Sequence, residues 1–261
     1  MASDAPAVLP GAEPWSHTTA DPSAGVAPGV LVLHGFTGNP SSMRPLAECF
    51  AAAGFHVELP RLPGHGTTLD DMLTTGWADW TAEVEQAYQR LAARSGPVVV
   101  AGLSMGGSLA LWTALQHPEV AGLVCINPAT EPQGPDVLAV LEEMRAGGSE
   151  TMPGIGSDVA DPDSHESAYD GVPLRALIDF VRSGLATLAP RYGELTMPLL
   201  LLTSRQDHVV EPIQSEHLAA RYGGDVDHRW LERSYHVATL DFDRDVINVE
   251  AVAFATTVTG S

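Results

Sequence analysis

Apolar runs without internal alternation are the feature that most constrains the fold of this chain. The runs PVVVAGL at 97–103 and AGLVCI at 121–126 contain no alternating polar positions. Such runs are typical of strands that are buried on both faces of a parallel sheet. Amphipathic segments with helical spacing separate the runs, for example at 41–53, 77–93 and 105–116. The sequence therefore predicts an α/β fold, with a mostly parallel central sheet flanked by helices on both faces.

The rhythm of strands and helices stops for one stretch in the second half of the chain. Residues 127–190 contain clusters of Pro, Gly, Asp and Ser around two predicted helices, at 137–145 and 174–188. We therefore predict a small cap at 127–190, inserted between core segments 29–126 and 191–261. Residues 1–28 have no sustained periodicity, and we predict that they form a flexible N-terminal arm.

Charge and composition limit the partners of the chain. Asp and Glu number 33 against 13 Lys and Arg, which gives a net charge of −20 at pH 7. Such a surface repels the phosphates of nucleic acids and anionic membranes. We therefore expect no nucleic-acid partner and no stable membrane association, and the oligomeric state is left open. All the basic residues are arginines, which excludes lysine nucleophiles and Schiff bases. Two cysteines, no signal-peptide pattern at 1–28 and no membrane-spanning run lead us to expect a cytoplasmic protein.

The motif GLSMG at 102–106 carries the strongest chemical signal, because it follows an apolar strand and precedes a helical run. A serine at such a strand-to-helix turn adopts a strained backbone, and the flanking glycines remove colliding Cβ atoms. We therefore predict that Ser104 is a nucleophile. The loop HGFTG at 34–38 follows another strand, and we predict that the backbone N–H groups of Phe36 and Met105 form an oxyanion hole. His34 is expected to support this loop.

Partners for the serine are expected at the ends of later strands, in the order acid and then histidine. Asp207 follows PLLLLTSRQ, and His236 follows the strand predicted at 228–231. His236 is the predicted general base, and Asp207 orients it. Four other acids compete for the role of Asp207, but none of them follows the end of the strand that precedes the last one. Two further histidines, predicted as solvated loop residues, remain candidates to line the entrance of the active site. The competing acids are Asp225, Asp227, Asp241 and Asp243, and the histidines are His65 and His208.

Five segments in order, GLSMGG, HGFTG, LPGHG, SRQDHVVEP and SYHVATLD, give the chain a family resemblance. From Gly29 to Phe254 it resembles bacterial carboxylesterases and the related monoacylglycerol lipases of the α/β-hydrolase superfamily. The resemblance implies the α/β-hydrolase fold with a small cap, a triad of Ser104, Asp207 and His236, and oxyanion donors at Phe36 and Met105.

The implied reaction is hydrolysis of a small carboxylic ester through an acyl-enzyme, without a cofactor or a metal ion. We expect short to medium acyl chains, and a monoacylglycerol lipase is the alternative. Thioesterase or other chemistry of this fold, a lipase acting at an interface and a non-catalytic ligand-binding receptor remain further alternatives. In the predicted cap, Leu138, Leu141, Leu177 and Phe180 are candidates to face the acyl chain, and packing of the cap onto itself is an equally open interpretation.

Overall fold

The computed structural model describes residues 6–19, 26–132, 134–154 and 156–260. Within these residues the central sheet has seven strands. Its order is β1-β3-β2-β4-β5-β8-β9, and every neighbouring pair is parallel except the antiparallel pair β1 and β3. The predicted mostly parallel sheet is therefore confirmed. In chain order the strands are β1 (Trp15–His17), β2 (Gly29–Leu33), β3 (His56–Leu59), β4 (Val98–Leu103), β5 (Gly122–Ile126), β6 (Thr151–Pro153), β7 (Gly171–Pro173), β8 (Leu199–Ser204) and β9 (Val226–Leu231).

Helices cover the sheet on both faces. Their bounds are α1 (Arg44–Ala52), α2 (Leu69–Met72), α3 (Trp77–Ala92), α4 (Met105–Gln116), α5 (Pro135–Ala146), α6 (Leu174–Asp179), α7 (Ala186–Leu188), α8 (Ile213–Arg221) and α9 (Arg244–Thr259). Helices α1 and α9 bury their apolar residues on one face, and α3, α4 and α8 on the other. Strand β4 shows why its sequence has no polar alternation: Val98 and Val100 pack on the second face, and Val99 and Ala101 on the first.

The prediction of a flexible arm over 1–28 needs a correction. Residues Trp15–His17 form β1, which pairs antiparallel with β3 at the edge of the sheet. The Arg44 guanidinium lies 4.5 Å above the Trp15 ring and helps to hold the strand. A strand of three residues is too short to show a period in sequence, which is why it was not predicted. Parts of the arm, residues 1–5 and 20–25, lie outside the described residues.

The cap follows β5 and contains more structure than the sequence indicated. Helix α5 is followed by a two-stranded antiparallel sheet of β6 and β7, which was not predicted because its strands are also three residues long. Helix α6 then continues through a π-helical turn at Phe180–Leu185 into α7, which matches the helix predicted at 174–188. Residues 156–170, between β6 and β7, are irregular, and we call them the strap.

The described residues contain no helix with the length and apolar character needed to cross a bilayer.

Candidate active site

Ser104 lies at the turn between β4 and α4 with a strained backbone. Its φ of 56° and ψ of −119° are unusual for a residue other than glycine. The residues on both sides of it are buried, whereas the serine itself is partly exposed. The strained turn therefore presents a hydroxyl at the carboxyl end of the sheet, as the motif predicts.

The glycines around Ser104 are required by backbone contacts. A Cβ added at Gly102 would lie 2.1 Å from the carbonyl oxygen of Gly106, and one added at Gly106 would lie 2.2 Å from that of Leu33. These backbone atoms cannot rotate away as a side chain would. The Gly-x-Ser-x-Gly spacing is therefore fixed by the close approach of α4 to the ends of β2 and β4.

Two backbone donors lie beside the serine. Phe36 follows β2 in the loop at 34–38, and Met105 is the first residue of α4. Within the described part of the chain, neither N–H has an intramolecular acceptor. The first N–H groups of a helix lack partners and favour negative charge. This arrangement can stabilise an oxyanion that forms at Ser104.

Asp207 and His236 form a buried pair. Asp207 Oδ2 lies 2.7 Å from His236 Nδ1, and the two side chains are 1% and 8% exposed. The other carboxylate oxygen of Asp207 accepts the backbone N–H groups of Val209 and Val210, each at 2.8 Å. These contacts fix the carboxylate, which in turn directs Nδ1 toward the acid and leaves Nε2 of His236 as the nitrogen available for proton transfer.

Burial and charge act in opposite directions on the pKa of His236. Burial favours the neutral imidazole and lowers the pKa, whereas the hydrogen bond and charge of Asp207 raise it, as do the carboxylates of Glu166 and Asp158. The pKa is raised overall. The site thus stabilises the imidazolium that would form when His236 accepts a proton.

The competing acids lie elsewhere. Asp227 is paired with Arg229 at the surface. Asp241 accepts the N–H groups of Ala160, Asp161, Tyr235 and Phe242. Asp243 accepts those of Arg233 and Ser234, while the backbone carbonyl of Asp225 accepts the N–H of Leu199 at the start of β8. Among the described contacts, the imidazole of His236 is hydrogen-bonded to Asp207 and to none of the four.

Ser104 and His236 line one cavity of about 620 Å³, counting its open mouth. The core and the strap each contribute to it, and β7 adds one residue. The core residues of the lining are Gly35, Phe36, Thr37, Leu103, Ser104, Val209, His236 and Val237, and the cap residues are Gly156, Asp158, Glu166, Tyr169 and Val172. The cavity is therefore largely apolar, with carboxylates on the strap side.

The four apolar cap residues predicted to face the acyl chain do not line this cavity. Leu141 is buried in a small cluster inside the cap, and Leu138 and Leu177 pack against that cluster. Phe180 instead stacks on Trp77 and Phe36, with ring centroids 5.6 and 6.3 Å apart, and belongs to the main core. The prediction was wrong because an apolar helical pattern indicates burial without indicating the partner.

The two histidines considered for the entrance are also absent from the lining. His65, predicted to be a solvated loop residue, is fully buried. Its ring lies edge-on to His34 at 5.1 Å, and burial holds its pKa well below the usual range. His34 accepts the N–H of Leu62 at 3.2 Å, and burial lowers its pKa to about 4. His34 thus supports the loop as a neutral ring, as expected. His208 contacts Asp158 at the surface.

Glu166 is a group that the sequence did not indicate. Its carboxyl group lies in the cavity and packs on the loop at 34–38, since a Cβ added at Gly38 would lie 2.7 Å from its Oε1. Within the described chain, the hydrogen bond of Glu166 is made by its backbone N–H, which donates to Ser157 Oγ at 2.9 Å, and none is made by its carboxyl group. Burial raises the pKa of Glu166 to about 7, against the opposing charge of His236. A carboxyl group held in this way is able to bind a polar group of a ligand.

Asn127 is a second residue that the sequence did not single out. It directly follows β5 with a positive φ of 43°. Its amide accepts the N–H of Ser204 at 2.7 Å and donates to the Ser204 hydroxyl at 3.0 Å and to the carbonyl oxygen of His236 at 2.7 Å. Asn127 thereby joins the ends of β5 and β8 to the loop that carries His236.

Comparison with known proteins shows the family to which the chain belongs. Residues 26–243 match the Hydrolase_4 family, described as "Serine aminopeptidase, S33". The chain is 41% identical over 250 residues to a thermostable monoacylglycerol lipase of Bacillus sp. (strain H-257), with 95% of each chain covered. It is 26% identical to a carboxylesterase of Bacillus subtilis (strain 168), with 86% of this chain and 91% of the relative covered.

A solved structure gives the same result. The structure comes from work on the metagenome-derived lipolytic enzymes LipS and LipT, and it superposes with a TM-score of 0.88 at 41% identity. The match covers 96% of this chain and 100% of the other. The chain therefore belongs to the Hydrolase_4 family and is an enzyme of the serine hydrolase type with the α/β-hydrolase fold.

Proposed function

We propose that the protein hydrolyses carboxylic esters through an acyl-enzyme on Ser104. The observation that carries the proposal is the buried Asp207–His236 pair, with 2.7 Å between Asp207 Oδ2 and His236 Nδ1. The histidine of this pair lines the same cavity as the strained serine. The proposed nucleophile, acid and base follow one another along the chain in the order that is typical of this fold.

The steps follow from the positions of these groups. His236 Nε2 takes the proton of Ser104 while the hydroxyl oxygen attacks the ester carbonyl carbon. The backbone N–H groups of Phe36 and Met105 stabilise the negative oxygen of the tetrahedral intermediate. Collapse of the intermediate breaks the ester C–O bond, and protonated His236 gives its proton to the leaving alcohol. Water then attacks the acyl-enzyme with His236 as base, which releases the acid and restores Ser104.

The cavity supports esters with an uncharged alcohol. Apolar residues such as Leu103, Val172 and Val209 suit an acyl chain. The carboxyl groups of Asp158 and Glu166 disfavour an anionic alcohol or acid. A hydroxyl on the alcohol could donate to Glu166. This favours monoacylglycerols, the substrates named for the relative from Bacillus sp. (strain H-257).

A first experiment tests the nucleophile. A fluorophosphonate probe should form one adduct, located on Ser104 by mass spectrometry, and Ser104→Ala should lose both the adduct and ester hydrolysis. Ser183→Ala, at an exposed position in the cap, serves as the control and should behave as the unchanged protein. Turnover by Ser104→Ala would refute the proposed nucleophile.

A second experiment tests the substrate class. We expect monobutyrin and monooctanoin to be hydrolysed with higher kcat/KM than the matching ethyl esters, because the ethyl esters lack the free hydroxyl groups. An amino-acid p-nitroanilide should react poorly. Preference for the anilide would instead support the aminopeptidase activity in the family description, with Glu166 binding the amino group.

A further inference from the structure

Asp158 lies on the strap, yet its contacts are with the loops that carry the predicted acid and base. Its Oδ2 accepts two backbone N–H groups, those of His208 at 3.2 Å and His236 at 3.0 Å. Its Oδ1 lies 2.8 Å from His208 Nδ1, and its carbonyl oxygen accepts the N–H of Val237 at 3.0 Å. The Asp158 side chain is only 11% exposed, so water competes little for these bonds.

The two loops that Asp158 joins come from different strands. His208 directly follows Asp207 in the loop after β8, and His236 lies in the loop after β9. The side-chain contact between Asp207 and His236 determines the direction of the imidazole ring. The contacts of the Asp158 carboxylate with the backbone of both loops determine where the two loops stand relative to each other. A backbone shift of His236 would move Nε2 relative to Ser104, and displacements of about 1 Å can cost on the order of 100-fold in rate.

We propose that Asp158 is a positioning residue, through which the strap aligns the Asp207–His236 pair with Ser104. The core alone therefore does not complete the active site, because one of the contacts that align the base belongs to the cap. The inference rests on the ester-hydrolase function proposed above.

The charge of Asp158 affects the pKa of His236, and this effect can be measured separately from any structural role of Asp158. The charged groups that face His236 are Asp207 from the loop after β8 and Glu166 and Asp158 from the strap. Burial lowers the pKa of His236, and these three carboxylates raise it. His208, 56% exposed, contacts Asp158 from the solvent side. Removal of the Asp158 charge should therefore lower the pKa of His236 and move the acid limb of kcat/KM to lower pH.

The experiment compares Asp158→Ala and Asp158→Asn with a matched control, using a short-chain p-nitrophenyl ester. We expect Asp158→Ala to lower kcat by roughly 10- to 100-fold per active site, counted with the fluorophosphonate probe, with a much smaller change in KM. Asp158→Asn keeps the volume but loses the charge, and should shift the acid limb downward by roughly half a pH unit.

Asp161→Asn is the matched control, because it removes the same charge from the same strap. The Asp161 carboxylate contacts the N–H of Asp163, the hydroxyl of Ser164 and Arg244, and we expect no change in kcat or in the acid limb. If Asp158→Ala does not fold, Asp158→Asn decides the question. A kcat per active site within twofold of the unchanged protein, together with an unmoved acid limb, would overturn the proposal even if the variant melts at a lower temperature. Failure of this proposal can be distinguished from failure of the proposed function, because in the second case Ser104→Ala would remain active.

Discussion

The serine turn and the strap line the same cavity but are fixed by different forces. At the turn, backbone atoms approach so closely that Gly102 and Gly106 admit no side chain. The strap has no regular secondary structure, and hydrogen bonds hold it on both sides of the cavity. The difference teaches that close packing of the core positions Ser104, whereas polar contacts position the wall of the cavity opposite it.

The strap is attached to both of the loops that flank Ser104. On the side of the loop at 34–38, Asn39 donates to the carbonyl oxygen of Ser167 at 2.6 Å, and the N–H of Tyr169 donates to the carbonyl oxygen of Thr37 at 3.2 Å. The hydroxyl of Tyr169 donates to the carbonyl oxygen of Gly64 at 2.8 Å. On the side of the His236 loop, Asp158 and Asp241 make the contacts described above.

The largest effect on kcat is expected at Asp207, the proposed acid, which lies on the core side of the cavity. Asp207→Asn keeps the shape of the side chain but favours the wrong tautomer of His236, and we expect kcat to fall by about 10⁴-fold. Asp227→Asn, at a surface ion pair with Arg229, should leave kcat within twofold. Steady-state kinetics of both variants on one ester test the assignment. A larger loss in Asp227→Asn would show that Asp207 is not the acid.

Close packing at the serine turn predicts the next effect. Gly106→Ala places a Cβ 2.2 Å from the Leu33 carbonyl oxygen, far inside van der Waals contact. We expect a loss of about 3 kcal/mol in the free energy of unfolding, and slow fluorophosphonate labelling. At Gly134 an added Cβ meets nothing within 4 Å, so Gly134→Ala should be nearly neutral. Urea unfolding measures the stability of both variants. Equal stabilities would contradict the conclusion that Gly106 is required by close backbone contacts.

The carboxyl group of Glu166 on the strap predicts a smaller effect that depends on pH. The pKa of Glu166 is raised by burial from 4.5 to about 7 in the folded protein. The folded state therefore holds this proton more tightly than the unfolded state, and stability is lost as the pH rises through that range. Glu166→Gln removes this loss of stability. Because the carboxyl group also faces the cavity and is partly screened there, we expect a gain of no more than about 2 kcal/mol in the free energy of unfolding.

Unfolding free energies of Glu166→Gln measured near pH 4 and near pH 8 give the comparison. The gain should be close to zero at the lower pH and fully present at the higher one. Asp163→Asn, exposed on the same strap, should show no such dependence. A gain that is equal at both pH values would mean that Glu166 is not held in its protonated form.

The smallest effect concerns acyl selectivity. Val172 lines the cavity, whereas Leu141 is buried inside the cap. Val172→Phe should reduce kcat/KM for octanoyl relative to butyryl esters by roughly fivefold to tenfold, about 1 kcal/mol. Leu141→Ala should lower stability by about 2 kcal/mol or more with the acyl profile unchanged. The reverse result, a shifted profile only in Leu141→Ala, would restore the original prediction for the cap.

Core elements were predictable because their signals are local and long. The helical segment predicted at 105–116 has the bounds of α4, and the apolar run at 97–103 contains β4. Asp207 and His236 meet because they follow the neighbouring parallel strands β8 and β9, so their pairing follows from strand order; their catalytic roles stay a prediction.

The strap could not be predicted in the same way. Its contacts join residues far apart in sequence: Asn39 and Ser167 are separated by 128 positions, and Asp158 and His236 by 78 positions. Such polar contacts leave no period in the sequence. The sequence also could not tell which apolar cap residues reach the cavity, because Leu141 and Phe180 are equally buried, each 5% exposed, against different partners.

The contacts of Asn127 have a consequence for the order of folding. Its amide joins residues 77 and 109 positions away in the chain. Such non-local contacts form only after long loops have closed, and loop closure is slow compared with helix formation. A refolding chain can therefore regain its helical circular dichroism while the loop of His236 is still unplaced. The return of enzyme activity thus reports completed topology rather than secondary structure.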